Sequence, residues 1–170
     1  MPNYSPSTRQ VLGDIAGGMM VKSSVLANLT YLHQDQWEVF NVHGRIMVLQ
    51  LYWEAITVNG AGATLFQYNF TSTTPAVGVQ PMGAVSASIA ALAQGLRCVF
   101  VGGAVGTAHV ITATAGISDV ICVNPHIIGT EDGVGSIGML TTTADAASGT
   151  HQHFLHYIPM SDGAYAEANL

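Results

Sequence analysis

Histidine is concentrated near the end of this sequence, and it is a residue type well suited to holding a metal. His151, His153 and His156 lie within six residues of one another. On a β-strand, His151 and His153 would project from the same face, and imidazole suits zinc, iron or copper. His156 would face the other way, so a third ligand would have to be His109 or His126. The simpler interpretation is that these are ordinary histidines on the polar face of a strand.

The His-x-His spacing resembles the metal motif of the cupins, an all-β family. That motif carries a glutamate four or five positions after its second histidine, where this chain has Tyr157 and Ile158. A cupin-like metalloenzyme therefore stays an alternative. We expect no metal, no cofactor and no catalytic residue in this chain.

Two other motifs could bind ligands. Gly102, Gly103 and Gly106 resemble half of a dinucleotide fingerprint, but the residues that follow alternate like a strand, and a true fingerprint opens a helix. We expect a turn between strands there. Likewise, Glu131-Asp132-Gly133 is more simply an Asp-Gly turn than a weak calcium site.

The chain carries very little charge. Asp, Glu, Lys and Arg make up 8% of its residues, against about 25% in ordinary soluble domains. Nothing charged lies between Glu54 and Arg97, and hydrophobic residues make up 49% of the chain. A free monomer needs interspersed charges to stay soluble. The composition therefore favours a subunit of a homo-oligomer or larger assembly, covered by its neighbours, over a free enzyme.

The few charges exclude some partners. The four basic residues are scattered and the formal net charge is −6, so we expect no direct nucleic-acid binding. No stretch of about 18 apolar residues occurs, so we expect no membrane partner, and the first residues do not look like a signal peptide. Cys98 and Cys122 lie in apolar runs, where we expect buried thiols, and whether they pair is left open.

The chain divides into two parts. Residues 1–35 combine prolines, glycines and serines with no clean helical or strand period, which predicts an extended N-terminal arm that orders by docking. Residues 36–170 predict a β-domain. We expect the arm through Leu32 and the tail from Asp162 to Leu170 to make contacts with other subunits.

The first strands of the β-domain are predicted from period-two alternation. One face of the strand after Arg45 would carry Met47, Leu49, Leu51, Trp53 and Ala55. The His43-Gly44 turn before it predicts a hairpin with the preceding strand.

Further along the chain, Phe66, Tyr68 and Phe70 would share one face of another strand. We expect aromatic residues such as Phe66, Tyr68 and Phe154 to pack in the core. Pro75 and Pro81 exclude a central strand between them, so we predict a loop and an edge strand there. Residues 84–95 predict one short helix, closed by a glycine. The later apolar segments are short and β-branched. The fold class is therefore all-β, a sandwich or barrel.

The two ends of the β-domain show the strand and turn pattern of a known family. The tail HQHFLHYIPMSDGAYAEANL has a hydrophobic-x-Tyr-x-Pro strand followed by an acidic Asp-Gly turn. The segment HGRIMVLQLYWEAIT places a glycine and a basic residue before a long strand. Residues 37–170 therefore resemble the capsid decoration, or cement, proteins of tailed bacteriophages.

The resemblance implies a jelly-roll-like β-sandwich or barrel on the outer surface of the virion. Such proteins are made in the host cytoplasm, bind the major capsid protein, stabilise the head, form dimers or trimers, and are not enzymes. The alternative is a phage tail or receptor-binding β module, which would have an exposed carbohydrate site.

Overall fold

The chain folds as a sandwich of two antiparallel β-sheets. The computed structural model describes residues 18–27, 36–62, 64–102, 106–112, 125–142 and 148–169. The strands in these ranges are β1 (Met19–Lys22), β2 (Leu26–Ala27), β3 (Gln36–His43), β4 (Ile46–Ala55), β5 (Leu65–Thr74), β6 (Ala76–Pro81), β7 (Arg97–Phe100), β8 (Val110–Ile111), β9 (His126–Ile128), β10 (Val134–Thr142), β11 (Thr150–Pro159) and β12 (Tyr165–Ala168).

Each sheet is built from strands that lie far apart in the sequence. The first sheet runs β1-β11-β4-β7-β8, with β2 also paired to β11 and β9 also paired to β4. The second runs β12-β3-β10-β5-β6. The all-β prediction is confirmed, and of the two predicted architectures the structure is the sandwich.

The core lies between the sheets and is filled from both by alternating side chains. Phe66 and Tyr68 are buried there and Phe70 packs against them, as predicted. Leu51, Trp53 and Ala55 also point inward as predicted. The prediction for Met47 and Leu49 is wrong. A register shift in the β4–β11 ladder falls between Gln50 and Val48, so Ile46 and Val48 take the inward positions instead.

The predicted hairpin at His43-Gly44 is also wrong. The chain turns there, with Gly44 at a φ of +72°, but β3 and β4 enter different sheets. His43 pairs with Val134 and Tyr165, whereas Ile46 pairs with Ile128 and Pro159. The turn is therefore a corner between the sheets.

The predicted helix over residues 84–95 is wrong, because this segment forms turns. Its backbone groups bond to other segments: Ile89 N–H donates to the Thr64 carbonyl oxygen and Ala91 N–H to that of Gly60. The Ser86 hydroxyl donates to the neighbouring Ala87 carbonyl, a local bond that competes with helix formation. Ala91 also takes a φ of +51°, outside the helical range.

The remaining predictions concern the edges of the sandwich. Strand β6 follows Pro75, ends at Pro81 and lies at the end of its sheet, which confirms the edge prediction. Of the predicted arm, residues 18–27 form β1 and β2 on the edge of β11, while residues 1–17 and 28–35 lie outside the described residues. The boundary at residue 35 stays a prediction.

Candidate functional site: a buried histidine cluster

His151 and His153 project from β11 into the core, on one face as predicted. His153 is completely buried and His151 nearly so, and their ring centroids lie 4.9 Å apart. His156 falls on the outward face, where it is half-buried. The alternation of this strand therefore places two imidazoles between the sheets of the sandwich.

Tyr68, from the opposite sheet, bonds to one of these imidazoles. Its hydroxyl lies 2.8 Å from His153 Nδ1, and both side chains have no exposed surface. The backbone N–H of His153 donates to the Ser23 hydroxyl at 3.0 Å, which ties the strip of residues 18–27 to the same point of β11. The cluster therefore links both sheets and the N-terminal strip.

His109 joins the cluster from the segment that precedes β8. Its Nδ1–H donates to the Ala84 carbonyl oxygen at 2.7 Å, and its Nε2 accepts the backbone N–H of Tyr68 at 3.2 Å. One ring nitrogen is thus a donor and the other an acceptor, which is the pattern of a neutral imidazole. His109 therefore attaches the segment before β8 to the middle of β5.

Burial keeps all three histidines uncharged. It lowers the pKa of His151 to about 4, and that of His109 to about 4 against a smaller opposing effect of the Ala84 hydrogen bond. It lowers the pKa of His153 well below the usual value, with the neighbouring His151 adding to the effect. Burial also raises the pKa of the Tyr68 phenol well above its usual value. At neutral pH the cluster carries no charge.

The same core holds Cys98, which is fully buried as predicted and is a free thiol. Burial raises its pKa to about 12, and the opposing effect of the neighbouring Ser86 and Trp53 side chains is smaller. Because the thiolate is the reactive form, Cys98 is not an activated nucleophile. Cys122, its predicted possible partner, lies outside the described residues.

The residues named for a metalloenzyme come together only in part. His109, His151 and His153 meet around Tyr68 and Phe66. His126 packs instead against Phe100, with ring centroids 5.0 Å apart. In the part of the chain that the structure describes, no three His, Cys, Asp or Glu side chains are grouped so as to hold a metal.

The Glu131-Asp132-Gly133 motif lies in a turn, and the motif of Gly102, Gly103 and Gly106 is described only in part. Gly102 has a φ of +74° just after β7, residues 103–105 are not described, and residues 106–112 lead into β8 and contain no helix. At Glu131-Asp132 the chain forms a turn in which Gly133 N–H donates to the Thr130 carbonyl. The turn at Glu131-Asp132 agrees with the sequence prediction, and the turn across residues 102–106 stays a prediction.

Sequence reasoning missed the polar role of Tyr68. The pattern placed it with Phe66 among core aromatics, which is right, but no local signal connects it to a histidine 85 positions away. Phe154, also predicted as a core aromatic, lies on the outward face and stacks on Tyr52 with centroids 4.9 Å apart. Only the fold shows which alternate positions face each other across the sandwich.

Comparison with protein-family models, curated proteins and solved structures finds no match. Among the described residues, no helix is long and apolar enough to cross a membrane. The fold therefore defines a class, an antiparallel β-sandwich with a neutral polar cluster in its core. Function has to be argued from the surfaces of that sandwich.

Proposed function

We propose that this chain is a structural virion protein, a decoration or cement protein that binds the major capsid protein on the outer surface of a tailed-phage head. It acts as a homo-oligomer, dimer or trimer, and stabilises the shell without catalysing a reaction. The proposal includes synthesis in the host cytoplasm and excludes nucleic acid and membrane as direct partners. It rests on the sequence resemblance and on one feature of the surface.

That feature is the edge of the sandwich where β1 and β12 lie against each other. The arm and the tail, the two segments expected to make contacts, meet there. Met20 is 65% exposed and Tyr165 42%, and Met19 and Met160 are exposed as well. We call these four side chains, with the strands β1 and β12, the β1–β12 edge. It is the observation that carries the proposal.

Large exposed apolar side chains suit a protein partner. Aromatic residues and methionine are enriched in protein interfaces, and contiguous apolar patches on soluble proteins often mark them. Apolar burial is also insensitive to salt, unlike attraction between exposed charges. Many copies on a regular lattice would add small contacts into a large total stabilisation of the shell.

The finer predictions about the fold belong to the same proposal. Most connections, such as those from β3 to β4 and from β10 to β11, carry the chain from one sheet to the other. Jelly rolls are double-sheet folds found in viral capsid proteins, so the crossings support a jelly-roll-like description. The extended arm of residues 1–35 would continue from β1 onto a neighbouring subunit.

Co-sedimentation tests the proposal. Heads assembled from the major capsid protein of the same phage genome are mixed with increasing amounts of the purified chain and pelleted. We expect binding that saturates at a fixed number of copies per head and persists in 0.5 M NaCl. Failure to pellet with expanded heads at any concentration would contradict the proposal.

A matched pair of variants locates the contact. Met20→Glu places a charge on the β1–β12 edge, whereas Val79→Glu places the same charge on β6, at the far end of the second sheet. Burying an unpaired charge in an interface costs several kcal/mol. We expect Met20→Glu to weaken head binding at least tenfold and Val79→Glu to leave it unchanged.

A further inference from the structure

On the outward face of the second sheet, the central strand β10 carries small residues. Ser136 and Gly138 alternate with the inward Ile137 and Met139, so they face outward. Gly138 lies between Asn69 of β5 and Glu38 of β3. Because glycine and serine are small, the longer side chains of β3 and β5 form walls on either side. We call this feature the β10 furrow.

Two buried polar side chains of the furrow lack partners. Asn69 is 2% exposed, and neither its oxygen nor its nitrogen has a hydrogen-bond partner among the described residues. Ser136 is 3% exposed, and within the same ranges its hydroxyl has none either. Buried polar groups in native proteins are nearly always paired, and an exception signals a missing water, ion or functional partner.

The Asn69 amide is directed into the furrow. A Cβ placed on Gly138 would lie 2.7 Å from Asn69 Oδ1, so glycine here leaves the space that the amide faces. A Cβ at the same point would lie 3.3 Å from Gln36 Nε2. The amide ends of Asn69 and Gln36 therefore meet above Gly138.

Gln36 is the movable cover of this space. It is exposed, and its Nε2 donates to the Thr71 hydroxyl at 3.0 Å in a hydrogen bond that is itself exposed. An exposed neutral hydrogen bond of a long side chain is easily exchanged. A ligand that displaces Gln36 from Thr71 would reach the Asn69 amide.

The donor and acceptor groups define the chemistry of the ligand. Asn69 offers two N–H donors and one carbonyl acceptor, and the Ser136 and Thr71 hydroxyls each donate and accept. Within the described register, the charged side chain beside the furrow is Glu38, which is exposed at its rim. A neutral ligand that presents donors and acceptors close together would satisfy these groups.

From this arrangement we propose that the β10 furrow binds the hydroxyl groups of a neutral saccharide through Asn69 and Ser136. Hydroxyl groups supply donors and acceptors at short spacing without charge. A peptide offers the same groups along its backbone, but extended peptides bind at sheet edges by strand addition, and the furrow lies on a sheet face. This activity is separate from the proposed binding to heads, which uses the β1–β12 edge.

Solution NMR tests the proposal on the full chain. Maltohexaose, cellohexaose, chitohexaose and mannohexaose are titrated separately to 10 mM. For at least one of them we expect saturable shifts of the Asn69 side-chain amide and the Gly138 backbone amide. A site built to bind hydroxyls loses much of its affinity when one of its polar groups is removed. Asn69→Leu should therefore weaken binding at least about tenfold, and Ser136→Ala about threefold or more.

Gln50→Leu is the matched control, because Gln50 is half-buried on the first sheet, away from the furrow. This substitution should leave the affinity for the oligosaccharide unchanged. If Asn69→Leu does not fold, Ser136→Ala decides the question by the same shifts. Absence of shifts with all four oligosaccharides would overturn the proposal and leave a buried water as the partner of Asn69. Shifts that persist with unchanged affinity in both furrow variants would overturn it too.

Discussion

At the scale of single residues, the buried histidines make stability depend on pH. Their pKa values are lowered by burial, to about 4 for His109 and His151, against about 6.5 in an unfolded chain. The unfolded chain therefore takes up protons first as the pH falls. The stabilisation is complete above pH 6.5 and is lost progressively towards pH 4. At pH 5 each of these two histidines should cost about 2 kcal/mol of unfolding free energy.

Urea denaturation at pH 7.5, 6.0 and 5.0 measures this loss. The unfolding free energy should stay nearly constant above pH 7 and fall steeply below pH 6. His151→Phe should flatten the slope, because it removes one titrating group. A free energy that is the same at pH 7.5 and pH 5.0 would contradict the account of a neutral, buried cluster.

The hydrogen bond between Tyr68 and His153 is the second residue-scale prediction. Tyr68→Phe removes the hydroxyl and leaves His153 Nδ1 buried without it, which should destabilise the fold by about 1–3 kcal/mol. The double variant Tyr68→Phe, His153→Phe replaces both partners with apolar rings and should recover part of that loss. Chemical denaturation of the original chain, of Tyr68→Phe, of His153→Phe and of the double variant gives the coupling free energy between the two side chains. A coupling free energy near zero would refute the pairing.

The sequence correctly predicted which residues share a face of one strand, but it did not predict which residues meet across the sandwich. Period two placed His151 and His153 on one face of β11, because side chains on a strand alternate. It named His109 and His126 equally as possible neighbours, and only His109 lies in the cluster. Which distant residue faces a given position depends on how the sheets are ordered, and no local pattern contains that information.

At the scale of elements, the loops at one end of the sandwich depend on close backbone approach. Gly129 has a φ of +81°, and a Cβ there would overlap the carbonyl oxygen of Gly44 at the β3–β4 corner. Gly129→Ala should therefore lower the unfolding free energy by about 3 kcal/mol, from backbone strain and overlap together. Thermal or urea denaturation measures the change.

Gly78, on the edge strand β6, is the matched control for this substitution. A Cβ there meets nothing within 4 Å, and its φ is not in the left-handed range. Gly78→Ala should leave stability within about 0.5 kcal/mol of the original chain. Equal losses at the two glycines would show that the contact between the β9–β10 loop and the β3–β4 corner is not specific.

Elements were predicted correctly where the local sequence pattern determines the structure. They were predicted incorrectly where contacts with distant segments determine it. The prolines around β6 confined it to an edge for a local reason, the missing N–H. The helix over residues 84–95 failed because its backbone found partners such as Gly60 and Thr64 in another loop. The β3–β4 hairpin failed because a short turn permits a corner between sheets as readily as a hairpin.

At the scale of the whole molecule, the composition favoured a subunit with a neutral surface and the strand pattern predicted an all-β fold, and the structure has that fold class. The exposed apolar side chains of the β1–β12 edge agree with the low charge. Which partner covers them follows neither from composition nor from the fold, since one sandwich architecture serves many functions. The β10 furrow was not predicted, because an asparagine within an alternating strand gives no sign that its amide is unpaired.

The most direct test of the structural-protein account is a cryo-EM reconstruction of expanded heads incubated with a saturating amount of the chain. The account predicts sandwich-shaped density at symmetry-related positions on the outer surface, with the β1–β12 edge facing the shell. A bare shell, or density in which that edge points into solvent, would contradict it.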